Sequence, residues 1–284
     1  MPETLCKFKI DYSDIIKIKP NIVYFSLTAY GRSDCSKNNS PQCIANSVYA
    51  AWVAGASICR LCINDGRGNV LLSKEQLVET ISLIREFKEC DIVIACDSFG
   101  EASSAGDVGA TIFNSAEGIE IGTCTIGTVN YEGDSPIYNT PGYLKDLITT
   151  FKTKKIKPEC RMLDIGMLGN IKWMLKSDYL SAPLFCQIAM GIVGGVDDTV
   201  ESLLYTIRNL PAGTVWSASA GKNAQMAIIY SSIVIGGNIS IDLTADGECT
   251  DVSMIERAVV AIKEFGKDVA ASTDAREVLE LITK

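Results

Sequence analysis

Two stretches decide the fold: Ser73-Lys74-Glu75-Gln76-Leu77 and, one helix length further on, Asp91-Ile92-Val93-Ile94-Ala95-Cys96-Asp97. The first opens a helix, because Ser73 is placed to accept from the backbone of Gln76 while the Gln76 side chain reaches back. The second is a short apolar run, too short for a helix and rich in β-branched residues. A capped helix over 73–88 therefore hands the chain to a strand over 91–97, and the same hand-over recurs on both sides. Further strands are expected at 22–28, 57–63, 119–125, 159–164, 184–190, 213–218 and 238–243. Amphipathic segments fall between them at 41–54, 101–117, 141–156, 167–180, 196–210, 221–234 and 251–266. Thr140 before Pro141 gives the helix near 141 a second clear start.

Eight β-α units with no linker predict an α/β chain of one domain, residues 1–284, folded as a parallel (β/α)8 (TIM) barrel. An N-terminal extension over about 1–20 and an extra C-terminal helix over about 273–282 flank it. A doubly wound open sheet is the competing architecture, but no GxGxxG or P-loop follows the first strand. The glycine pairs Gly194-Gly195 and Gly236-Gly237 sit at strand ends or starts, where backbone approaches closely.

Composition narrows the chemistry. With 284 residues, 47% of them apolar, the chain can bury a large core. A net charge of −8 argues against nucleic acid or an anionic membrane as partner. No apolar run reaches the roughly 18–20 residues of a membrane helix. Met1 to Lys9 lacks the pattern of a secretory signal, so a cytoplasmic location is expected.

The chain has no histidine. That removes Ser-His-Asp and Cys-His nucleophiles, a histidine base and every histidine-ligated metal. Its eleven cysteines are irregularly spaced and read as reduced, mostly buried thiols. The one C-x-x-C, Cys59 and Cys62, lies on a strand, where residues three apart face opposite sides.

In a barrel the chemistry sits at the C-terminal strand ends. The second strand ends with Arg60, Cys62 and Asn64 on one face, and the third ends Cys96-Asp97-Ser98. The fourth runs Thr123-Cys124-Thr125 and leads to Asn130; the fifth carries Arg161; the eighth alternates Asn238, Ser240, Asp242 and Thr244. Arg60, Cys62, Asp97, Thr123, Arg161 and Asp242 are the candidate catalytic residues. Ser98, Thr125, Asn130, Ser240 and Thr244 are the candidate substrate-binding residues. Two buried arginines need partners. Either they grip a small anion such as a carboxylate or phosphate, or they close two internal ion pairs, Arg60–Asp97 and Arg161–Asp242. Cys62 reads as a reactive thiolate or an inert core thiol. Glu159 and Asp164, flanking the fifth strand, read as an acid-base pair or as loop caps facing solvent.

Several segments, in order from about residue 22 to 282, resemble the β-keto acid cleavage enzymes. They are Ala54-Gly55-Ala56, Gly127-Thr128-Val129-Asn130, Lys157-Pro158-Glu159 and Met190-Gly191-Ile192-Val193-Gly194-Gly195. Trp216-Ser217-Ala218 with Ala220-Gly221, then Gly236-Gly237 and Ala275-Arg276-Glu277, complete the series. The resemblance implies a (β/α)8 homo-oligomer in which zinc helps join a β-keto acid and acetyl-CoA, giving acetoacetate and a new acyl-CoA. It also implies His-x-His ligands on the second strand and a Glu after the eighth; here those places hold Arg60, Cys62 and Thr244, with Ala245 next. The family's arginine on the eighth strand falls on Ser240, its acidic residue on the fifth on Arg161, and its serine ending the third on Asp97. A threonine on the fourth is kept as Thr123.

A cation at Arg60 repels a divalent ion, and one thiol and one hydroxyl do not replace two imidazoles and a carboxylate. The expectation is no metal cofactor, loss of the zinc chemistry, and a pocket for a small anionic metabolite or an acyl-CoA. A silent subunit regulating an active paralogue and a metal-free enzyme on another small carboxylate or phosphate are the alternatives.

Overall fold

The structure, a computed structural model, describes residues 20–28, 40–62, 72–98, 112–114, 117–130, 136–221, 223–244 and 251–281. Eight parallel strands close into one barrel in chain order, with the eighth pairing back to the first. The strands are β1 (Val23–Thr28), β2 (Ile58–Cys62), β3 (Val93–Asp97), β4 (Ile121–Thr125), β5 (Lys157–Met162), β6 (Phe185–Ala189), β7 (Val215–Ser219) and β8 (Asn238–Thr244). The helices among the described residues are α1 (Pro41–Val53), α2 (Lys74–Glu86), α3 (Pro141–Lys154), α4 (Met167–Lys176), α5 (Val200–Asn209), α6 (Gln225–Ile235), α7 (Ser253–Glu264) and α8 (Ser272–Val278). The helix expected over 101–117 and the extension over 1–20 lie almost wholly outside the described residues.

Both helix starts read from the sequence are present. Ser73 Oγ accepts from Gln76 N at 3.2 Å and Gln76 Oε1 accepts from Ser73 N at 2.9 Å. Thr140 Oγ1 accepts from Tyr143 N at 3.2 Å, ahead of Pro141. The fifth strand begins two residues earlier than expected, at Lys157. Pro158 has no N–H to offer, yet β6 joins the pairing only from Glu159, so the missing donor is not needed there.

Each strand turns alternate residues outward and inward. The outward set, which includes Cys59, Cys96, Cys124, Cys160 and Cys186, packs against the helices in one continuous core. Seven of the eight described cysteines are buried and all eight are free thiols. Inside, the floor is apolar: Ile22, Ile58, Val93, Ile121 and Phe185 stand at the strand starts. Ala275 and Leu279, in α8 and just beyond it, plug this end. Arg276 locks the plug by donating Nε and Nη2 to the two Glu120 oxygens at 2.7 and 2.9 Å, and Nη2 to Asp91 O.

Backbone packing is closest where glycine was expected. Gly236 caps α6 in the left-handed region, with φ +84. A Cβ on Gly237 would overlap the Trp216 ring, so only glycine lets that indole cover the start of β8.

Candidate active site

Above the apolar floor the barrel interior turns polar. β2, β4, β6 and β8 contribute Arg60, Thr123, Gln187 and Ser240, all buried, as expected for one layer drawn from alternate strands. The other four strands contribute Tyr24, Ala95, Glu159 and Ser217, also buried.

The centre is an ion pair. Arg60 Nη2 lies 2.7 Å from Glu159 Oε2, and both side chains are fully buried. The same oxygen accepts from Tyr24 OH at 2.9 Å and from Thr123 Oγ1 at 2.5 Å. Arg60 Nε donates to Thr123 Oγ1 at 3.1 Å, and the guanidinium lies 4.5 Å above the Tyr24 ring centroid. Burial pulls the Arg60 guanidinium down, but Glu159, with Tyr24, Asp97 and Cys62 behind it, more than offsets it, so Arg60 is held above its ordinary value and stays charged. Burial also pushes the Tyr24 phenol well up. Glu159 Oε1 is buried without a hydrogen-bond partner among the described residues.

One level nearer the mouth, Arg161 Nη1 lies 2.8 Å from Asp97 Oδ2. Arg161 Nε donates to Gln187 Oε1 at 3.0 Å, and Gln187 Nε2 donates to Ser240 Oγ at 2.9 Å. The Arg161 side chain is 21% exposed and that of Asp97 11%, so this pair reaches the opening. Burial lowers the Arg161 guanidinium most, but Asp97 together with Cys62 and Glu159 outweighs it and the Arg60 charge, leaving Arg161 above its ordinary value.

The expected pairings are therefore corrected. Arg60 closes on Glu159, and Asp97 pairs with Arg161; Asp242 makes no ion pair among the described residues and is exposed. Glu159, read from the sequence as an acid-base partner of Asp164 or as a loop cap facing solvent, is at the dry centre of the barrel. The cause is strand alternation, since Glu159 and Arg161 are two apart on β5 and share the inward face. Asp164 is the loop cap: its Oδ1 accepts from Gly166 N at 2.7 Å.

Other candidates scatter. Cys62 is buried at the end of β2, and Thr244 ends β8 in register with Thr28. Ser98 and Thr125 are half-buried, and Ser98 Oγ has no hydrogen-bond partner among the described residues. Asn130 stands apart, lining a cavity of about 300 Å³ formed by the loops after β4, β5 and β6. Sequence reasoning missed Tyr24 and Gln187; each was legible as a polar residue inside an expected strand.

Where the resemblance implies the first zinc ligand stands Arg60, a cation already locked to Glu159. It would repel a divalent ion. Among the described residues no three His, Cys, Asp or Glu side chains are placed to hold a metal.

A closed parallel barrel with charged side chains converging toward the C-terminal strand ends defines a (β/α)8 barrel protein. Within that class, the profile described as beta-keto acid cleavage enzyme matches residues 39–281, and the chain belongs to this family. It is 26% identical to the 3-keto-5-aminohexanoate cleavage enzyme of Acetoanaerobium sticklandii over 253 residues, 83% of this chain and 88% of that protein. It is 25% identical to the 3-dehydrocarnitine:acetyl-CoA trimethylamine transferase of Rhizobium meliloti over 290 residues, 91% of this chain and 96% of that one. Among solved structures, apo ObcA superposes with a TM-score of 0.72 at 10% identity, a likeness of fold alone. The superposition takes in 85% of this chain and 65% of ObcA.

Proposed function

We propose that this β-keto acid cleavage family member binds a small carboxylate at the C-terminal mouth of its barrel and does so without the zinc chemistry that the resemblance implies. One observation carries the reading: the guanidinium of Arg60 stands at the first ligand position, sealed in an ion pair with Glu159 and stacked on Tyr24. Removing that cation to make room for a metal would leave Glu159 buried and unpaired, which is strongly unfavourable.

Arg161 supplies the anion contact. Its Nη1 holds Asp97 and its Nε holds Gln187, while Nη2 makes no hydrogen bond among the described residues. A ligand carboxylate meets that remaining edge of a fixed, charged fork. Acyl-CoA is the second ligand of this reading, supported by the acetyl-CoA in the name of the Rhizobium meliloti relative.

Elemental analysis of untagged protein, paired with a β-keto acid cleavage assay in acetyl-CoA, tests the reading. The expected result is substoichiometric metal, no family turnover, and thermal stabilisation by small carboxylates that Arg161→Gln abolishes. One zinc per chain with turnover would overturn it.

A further inference from the structure

One helix of the outer ring has the composition of a core element. α6 carries no charged residue in its 11 positions. Ile228, Ile229 and Ile233 face the barrel and are buried. Tyr230, Val234 and Ile235 face out, Val234 with 59% of its surface exposed. A helix that is apolar all round belongs to a covered position, not to a solvent face. α1 gives the contrast: it too lacks charges, but it turns Gln42 and Asn46 outward, bonded to each other. The apolar face of α6 continues to the end of α7. There the Tyr230 and Phe265 rings meet edge to face with centroids 6.3 Å apart, and Phe265 is 48% exposed.

The charges beside this face say what covers it. Val260, exposed at the middle of the outer side of α7, stands one helical turn from Glu256, Arg257, Lys263 and Glu264. These two acids and two bases are all exposed, and none is in an ion pair among the described residues. The rim is therefore neutral in sum, on a chain of net charge −8. A basic partner is drawn to the acidic remainder of the surface, and an acidic partner is repelled by it. Repulsion between two copies of the chain is least where local charge is balanced. About a two-fold axis the same patch meets itself, so that apolar α6 covers apolar α6 and an acid of one rim can pair with a base of the other. We infer that two copies of this chain associate isologously through the α6–α7 face. Tyr230, Val234, Ile235 and Phe265 form the dry centre and the α7 charges the polar rim. None of these residues belongs to the proposed carboxylate site.

Sedimentation velocity and mass photometry on the full chain, from nanomolar to micromolar concentration, test the interface. The unaltered protein is expected as a dimer, or as a tetramer built from such dimers. Val234→Glu places a carboxylate in the apolar centre from both copies. It should raise the dissociation constant about tenfold or more, or split a tetramer into dimers, with far-UV circular dichroism unchanged. Phe265→Ser, a second cut at the same face, should also weaken association and keeps the test decisive if Val234→Glu fails to fold. Val78→Glu, at an exposed apolar residue of α2, is the control and should leave association as it was. A monomer at every concentration overturns the inference and leaves the face to another part of the chain or to a different protein. An oligomer that withstands both Val234→Glu and Phe265→Ser, or that Val78→Glu dissolves equally, overturns it because the contact then lies elsewhere. A trimer overturns it as well, since an isologous contact joins copies two at a time.

Discussion

Glu159 and Arg161 share one strand face two residues apart, yet their partners differ in a way that spacing alone does not reveal. Glu159 takes Arg60 from β2 and is dry; Arg161 takes Asp97 from β3 and touches solvent. Removing the charge of Glu159 strands a guanidinium in the barrel centre. Glu159→Gln is expected to lose about 3–5 kcal/mol of stability in urea denaturation, while Arg60→Met with Glu159→Leu loses less than Glu159→Gln alone. An equal or greater loss in the double variant would count against the pair. Buried acids give a second prediction. Burial pushes up the thiols of Cys59 and Cys96 and the phenol of Tyr24, so the folded chain keeps those protons. The unfolded chain releases its thiol protons from about pH 8.5. Their contribution is whole below that pH and is lost as pH rises through the alkaline range, because the folded state then binds more protons. The urea midpoint should fall between about pH 8 and pH 10; a flat midpoint argues that these groups ionise in place.

At the level of elements, local chemistry was legible and cross-barrel pairing was not. The capping box of Ser73 and the start at Thr140 need only a few consecutive residues, and both are present. Ser73→Ala should cost about 1 kcal/mol by thermal denaturation, the usual worth of such a cap. Gly237 shows the other side of local reading. The sequence placed a close approach there, and the structure names the Trp216 ring as what approaches. Gly237→Ala is expected to destabilise by about 1–3 kcal/mol through overpacking, and Trp216→Phe in the same chain should recover part of it. Which interior side chains meet, by contrast, depends on the stagger of eight strands around a closed barrel. Both arginines were visible as residues, with Asp97 and Asp242 as their expected partners, while Glu159 was read apart from them. The pairing Arg161–Asp97 was not visible, because nothing within β5 says which distant strand stands level with it.

Over the whole molecule, the β-α alternation carried the fold from the sequence without error of class, and the ordered motifs carried the family. What alternation does not show is how the barrel is closed below. α8 does that, held by the fork of Arg276 on Glu120. Arg276→Ala is expected to cost about 1–3 kcal/mol, from a lost charge-assisted pair and an orphaned carboxylate, and hydrogen exchange should show faster opening of residues 272–281. Unchanged exchange there would mean that apolar contacts alone seat the plug. The sealed Arg60–Glu159 pair also shapes the routes by which this chain can change. Putting histidine at position 60 alone abandons Glu159 in a dry core, and altering Glu159 alone abandons Arg60. Each single step toward a metal-ligating barrel passes through a less stable protein, so the path requires two changes together. The pair thus works as a ratchet: either partner alone is costly to replace, and only a joint change escapes the cost.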